Sequence, residues 1–193
     1  MIRAGFTFEH PTTKTRTVVL ESDAETNGMG WLLEVTRYSK SGSDLGEHLH
    51  QTWTETFEIL KGTAKYKLDG NERIAKAGES FVVEPGHFHV HPWNAVDEEL
   101  VYRQRDRFER PSPEAVQDIL GIFATRTGMA RDHIRYKGFA KLLFQSATIR
   151  TAIKHGNYVA SPSMFMQRVL GSTLGVLAEL LGYKAVDPKC VSG

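Results

Sequence analysis

The sequence predicts a mainly β domain over residues 1–110, a closed barrel or jelly roll, followed by an α-helical extension over residues 111–193. Three observations carry this. Between Phe6 and Phe108, short apolar or alternating runs are separated by closely spaced turn residues. Strands of that number and length suit a fold that manages its edges by curling two sheets together. At Arg110-Pro111-Ser112-Pro113 the apolar period changes from two to that of a helix.

The strands follow in order. Thr15–Leu20 is rich in β-branched residues, and Trp31–Tyr38 follows the turn signal Gly28-Met29-Gly30. Thr54–Leu60 and Thr63–Leu68 flank Lys61-Gly62. Asp69-Gly70-Asn71 marks a tight turn, because Gly and Asn tolerate the positive φ of hairpin turns. Glu79–Val83 and Phe88–Trp93 flank Pro85-Gly86, and Glu99–Phe108 closes the series.

Three helical runs follow. Ser112 is placed to cap a helix whose first residue is Pro113, with Val116, Ile119, Leu120 and Phe123 on one face and Gly128 as its end. A second run carries Phe139, Leu142, Leu143 and Ser146, with Ile149 and Ile153 beyond. Ser161-Pro162 repeats the cap-and-proline start, and a single run from Met166 to Leu181 precedes Gly182. That run is long enough to cross a bilayer. Gln167, Arg168 and Glu179 interrupt it, so a core or dimer-interface helix is expected instead. Gly171 and Gly175 would let it pack closely on a neighbour.

Composition bounds the function classes. A formal net charge of +1 gives no reason to expect nucleic acid. The charge is uneven: residues 1–100 carry 10 Lys/Arg against 16 Asp/Glu, and residues 101–160 carry 11 against 5. This asymmetry is expected to be spent within or between subunits. The one cysteine, Cys190, and a start without an apolar leader point to the cytoplasm. No phosphate-binding glycine loop and no compact helix-turn-helix is present in the sequence.

Chemistry concentrates between Gly42 and Asn94. His48 and His50 lie two apart, so on a strand they face the same side. Glu55 falls on the next strand, and His89 comes from a distant one. Three imidazoles and one carboxylate make a fitting set for one divalent transition metal, with open positions left for ligand if the site is octahedral. His91 shares parity with His89 and is a candidate acid or base. Tyr66, in step with Ala64 and Leu68, should face inward with its hydroxyl available to a ligand. Trp31, Phe57, Phe88 and Trp93 are candidates for a hydrophobic mouth, with core filling as the default. Arg103 and Arg105 alternate on the closing strand, where a solvated face is expected.

These spacings resemble those of the cupin superfamily. Gly42, His48, His50, Glu55 and Gly62 match every term of its first motif. Gly78, Gly86 and His89 match its second; Glu84 replaces the first proline, and Asn94 falls one residue late. Pro92 explains the delay if it marks a bulge or an early strand end, because proline cannot donate to a ladder. The order of elements, with Glu55-Thr56-Phe57-Glu58 and the helical ending Leu180–Tyr183, is similar to a group of bacterial cupin-domain proteins. The resemblance implies a double-stranded β-helix and a metal held by His48, His50, Glu55 and His89. That metal would be iron, manganese, nickel, copper or zinc. It also implies a metal-dependent enzyme of the dioxygenase or isomerase class acting on a small organic molecule, with a non-catalytic ligand-binding module as the alternative. A homodimer is expected, without nucleic acid or membrane contact.

Overall fold

The computed structural model describes residues 1–38 and 46–191. Gly42, the first term of the first motif, lies outside the described residues. Strands β1 (Thr7–His10) and β2 (Thr15–Glu21) lead through a short helix α1 (Asp23–Thr26) to β3 (Gly30–Arg37). Then come β4 (His48–His50), β5 (Trp53–Lys61), β6 (Thr63–Leu68) and β7 (Asn71–Lys76). β8 (Ser80–Val83), β9 (His89–Asn94) and β10 (Leu100–Phe108) complete this part. The extension holds α2 (Pro113–Arg131), α3 (Gly138–Lys154), β11 (Asn157–Val159), α4 (Met164–Ser172), α5 (Leu174–Leu180) and α6 (Pro188–Val191). Nearly as much of the chain is helical as is strand.

Two antiparallel sheets face each other. One runs β1-β2-β3-β10-β5-β8 and the other β11-β4-β9-β6-β7. Alternation along each strand decides what lies between them. On β10, Leu100, Tyr102, Gln104, Asp106 and Phe108 are buried while Arg103, Arg105 and Arg107 are exposed. On β5, Trp53, Glu55, Phe57 and Ile59 face inward. The aromatic members of this core each contribute about 1.5–3 kcal/mol by burial, and Trp31, Trp53 and Phe108 pack as one tilted cluster. Phe57 and Trp31 are therefore core, while Phe88 and Trp93 are half-buried.

The alternative of a closed barrel is corrected: among the described residues the two sheets share no strand, and each keeps its edges. Those edges are short, like β1 and β8, or charged, like β7. Such edges do not invite further pairing, so closure is not needed. β7 escaped the sequence reading because only Ala75 on it is buried.

The extension is tied to the sandwich in two ways. Val116, Ile119 and Leu120 of α2 sit in the same apolar cluster as the strands. β11 pairs antiparallel with β4, placing Val159, Tyr158 and Asn157 opposite His48, Leu49 and His50. The buried Gln167 of α4 clamps β11, accepting from Val159 N at 3.1 Å and donating to the carbonyls of Val159 (2.7 Å) and Pro162 (2.6 Å).

Three helical expectations are corrected. α2 does not stop at Gly128 but runs on to Arg131; the missing Cβ of Gly128 leaves room for the Cys190 side chain. The last helical start belongs to Ser163, whose hydroxyl accepts from Met166 N, and not to Ser161-Pro162. The single third helix is two, broken at Thr173. There the hydroxyls of Ser172 and Thr173 both donate back to the carbonyl of Val169, a pattern that bends helices. Gly171 and Gly175 do serve close packing, since a Cβ on either would press on α3 at Ile153 or Arg150. No helix among the described residues is long and apolar enough to cross a membrane. Arg103 and Arg105 are exposed and pair with Glu34 and Glu21, so part of the basic excess meets the acidic part within the chain.

Candidate metal centre

The centre lies between the sheets. His48 and His50 on β4 and His89 and His91 on β9 come from the five-stranded sheet. Glu55 on β5 comes from the six-stranded one. β4 and β9 pair directly at His48 and His89. All five side chains are buried. β9 reaches this geometry through an irregularity. Val90 faces Lys67 and Trp93 faces Lys65, so His91 and Pro92 together oppose Tyr66. Two residues against one is a bulge, and the strand continues past it to Asn94. The extra residue accounts for the late position of Asn94, whose amide donates to the carbonyls of Arg37 and Glu98.

Backbone carbonyls fix the imidazoles. The Nδ1 atoms of His48, His50 and His89 lie 2.9, 2.9 and 3.1 Å from the carbonyl oxygens of Gly46, Trp53 and His87. A carbonyl only accepts, so each Nδ1 carries the proton and each Nε2 is left for the centre. His50 also stacks on Trp53. Glu55 receives three of the Nε2 atoms. Its Oε2 is 3.2 Å from His50 Nε2 and 2.8 Å from His89 Nε2, and its Oε1 is 3.1 Å from His91 Nε2. Although close, the Nε2 atoms of His89 and His91 make no hydrogen bond. Buried polar nitrogens are rarely left so. Two such nitrogens beside a carboxylate suit a shared cation, and the donor set fits a divalent transition metal.

The ligand atoms fall into two overlapping groups. His50, Glu55 and His89 have theirs within 4.8 Å of one another, as do His48, His89 and His91. Of the four residues predicted to bind metal, His50, Glu55 and His89 form one group, and His48 falls in the other, with His89 common to both. His91, read as an acid or base, sits among them. Tyr66 is set apart: it stacks on Phe81, which stacks on Phe57, whose ring is the one that meets His91. His87, two residues before His89, is exposed and bound to Asp69 at 2.7 Å, so it does not share the inward face of His89.

Charge is distributed to match. Burial pushes the Glu55 carboxyl up, but the facing His91 and His89, with His50 close beside it, outweigh it and hold Glu55 well below the usual range. Burial, then the nearby His91 and His89, push His48 well down, leaving it neutral as a metal ligand must be. Burial also presses His89 down, but Glu55 overcomes this and raises it.

Two residues missed by the sequence reading complete the centre. Gln104 Nε2 donates to Glu55 Oε1 at 2.6 Å and to Asp106 Oδ2 at 2.9 Å. Trp53 Nε1 donates to Asp106 Oδ1 at 2.8 Å. Their signal was the parity of β10: with Arg103, Arg105 and Arg107 outside, Gln104 and Asp106 had to face inward.

Burial, then the Glu55 charge, push Asp106 well above the usual carboxylate range. Above the unfolded value of about 3.9, the native Asp106 keeps a proton that the unfolded chain releases. Its contribution to stability therefore declines as pH rises toward its folded value. In chelator-treated protein, Asp106→Asn should lose less stability than the parent as pH rises from about 4, read from urea midpoints. Parallel loss in both proteins would mean that Asp106 is ionised.

With this geometry in place, residues 35–102 match the family model for the cupin domain. The chain contains a cupin domain. No curated protein matches the sequence. Solved structures similar to it include a predicted oxalate decarboxylase from Thermotoga maritima, 20% identical over 49% of this chain and 80% of that one, with a TM-score of 0.45. Another is KdgF from Halomonas sp., 12% identical over 54% and 88%, with a TM-score of 0.40. An oxalate oxidase in complex with glycolate is 22% identical over 57% and 58%, with a TM-score of 0.43. Beside the centre of the cupin domain, a cavity of about 60 Å³ reaches His91 and Gln104 and is covered on one side by α2.

Proposed function

We propose that the chain is a metal-dependent enzyme acting on a small organic molecule beside the metal centre, with oxygenation and isomerisation as the reaction classes. His48, His50, Glu55 and His89 would hold one divalent transition metal, with His91 next to it. The observation that carries this reading is the pair of buried Nε2 atoms, on His89 and His91, that face Glu55 without a hydrogen bond. When bound, the metal supplies a Lewis acid, or a redox centre if it is iron, manganese or copper. The chain's own part is to orient and to exclude water. Three carbonyls fix the imidazole tautomers, Gln104 fixes the Glu55 carboxylate, and two packed sheets keep solvent from the centre. The reading includes a cytoplasmic homodimer, supported by the single cysteine and by apolar side chains left exposed on the extension, Phe165 and Leu180 among them.

Metal analysis of the purified protein, with an oxygen-consumption and isomerase screen, tests the reading. About one transition metal per chain, with turnover that a chelator abolishes, is the expected result. A folded protein without stoichiometric metal overturns it. Ligand affinity with metal but no turnover moves the chain to the binding-module class. Light scattering on the same sample checks the dimer.

A further inference from the structure

The helical extension holds a larger opening than the one beside the centre. It is a groove of about 700 Å³ between the C-terminal half of α2, the link to α3, α3 itself, β11 and α4. Tyr136, Leu142, Phe144, Ile149, Val159 and Leu170 give it a mostly apolar lining. Tyr136, Leu142 and Val159 are exposed despite their size. Three cations stand among them: Arg126 on α2, Arg135 in the link and Lys141 on α3. Among the described residues that line the groove, none is acidic. The acidic side chains of the extension are engaged elsewhere. Glu114, Asp118, Asp132 and Glu179 pair with Lys154, His155, Arg131 and Arg150. Asp187 accepts from the backbone nitrogen of Lys189. None of these contacts includes Arg126, Arg135 or Lys141, so part of the basic excess of residues 101–160 is gathered at this groove. Ser146, which is 1% exposed, also lines it, and its hydroxyl makes no hydrogen bond. Buried hydroxyls usually have a partner.

We propose that this groove binds one amphipathic carboxylic acid of the medium-chain fatty acid class. Its alkyl chain would lie along the apolar lining, with its carboxylate among Arg135, Lys141 and Arg126. None of the residues of the metal centre lines the groove, so binding here does not depend on the metal reading. Size suits a single molecule, since pockets of roughly 300–1,000 Å³ hold one organic ligand. The cations select an anion, because hydrogen bonds between ionised partners are about twice as strong as neutral ones. The apolar side chains select against a small free anion, which would leave them in water. An apolar face of a second copy would cover three cations without supplying a counter-charge, and a charge buried unpaired is costly. One chain with one charged head satisfies both parts of the lining.

The test is equilibrium dialysis of the purified full chain against hexanoate, octanoate and decanoate, each below the concentration at which it forms micelles. Saturable binding at about one site per chain is expected, with affinity rising about two- to fourfold for each added methylene. Decyltrimethylammonium and 1-decanol carry the same chain with a cationic or neutral head. Both should bind at least about tenfold more weakly than decanoate. The double variant Arg135→Gln, Lys141→Gln should lose about tenfold in decanoate affinity and keep its affinity for decanol. Both residues are exposed, and circular dichroism on the same samples shows that the variant is folded. Absence of saturable decanoate binding overturns the proposal, as does equal affinity for the ammonium. So does decanoate affinity unchanged in the folded double variant, or affinity that does not rise with chain length. Binding to phosphatidylglycerol vesicles without binding of monomeric decanoate overturns it in favour of a membrane surface. Decanoate binding that requires dissociation of a dimer, read by light scattering, overturns it in favour of an interface between copies.

Discussion

His50→Ala is expected to empty the metal centre while His87→Ala leaves it filled. The two residues are of the same type and lie in the same stretch of sequence, so the contrast isolates position. His50 is buried, its ring stacked on Trp53, its Nδ1 fixed by the Trp53 carbonyl and its Nε2 3.2 Å from Glu55. Loss of an outer partner alone costs metal affinity about 10–100-fold, so loss of the ligand should exceed 100-fold. His87 is half-exposed and spends its Nδ1 on Asp69. Competition with a chromogenic chelator gives the affinities, and the denaturation midpoint shows that each variant is folded. Metal content unchanged in a folded His50→Ala protein would remove His50 from the ligand set. Loss in His87→Ala as well would mean that the whole β9 segment, rather than ligand chemistry, governs binding.

The ligand spacing could be read in the sequence because it follows from local geometry. Two residues apart on a strand means one face, which brought His48 and His50 together before any fold was known. The bulge at His91 and Pro92 was half-visible: proline marked the irregularity, but only the register against Lys65 and Lys67 shows which residues share it. That is why His91 was read as a neighbour of the centre and not as a member of the cluster. Gln104 and Asp106 were readable from the arginines that alternate with them, yet polar side chains on an inward face carry no signal without the partner they satisfy. β11 carried none at all. It is three residues long, buries only Tyr158, and exists because β4 offers an edge and Gln167 holds it there. The break at Thr173 depends likewise on a local contest between hydroxyls and the helix ladder, which an apolar period does not register.

Gly30→Ala should be the most damaging single-methyl change in the sandwich. Gly30 opens β3 at φ 145°, a backbone conformation that favours glycine. A Cβ there would also run into the carbonyl oxygen of Asp106 on β10, the neighbouring strand. That strand has little freedom to yield. The Asp106 side chain is held by Trp53 and Gln104, and Gln104 in turn holds Glu55. Backbone strain and overpacking each cost about 1–3 kcal/mol, so a combined loss of about 3–5 kcal/mol is expected in urea denaturation. Gly70→Ala supplies the comparison. Gly70 has φ 80° but open space where its Cβ would stand, so it should lose only about 1 kcal/mol or slightly more, the cost of conformation without collision. Because the strain at Gly30 passes through Asp106 to the carboxylate, Gly30→Ala should also weaken metal binding, whereas Gly70→Ala should not. Equal losses in the two variants would mean that the strands at Gly30 can part, and that the Asp106–Gln104–Glu55 chain is not held as tightly as its hydrogen bonds require.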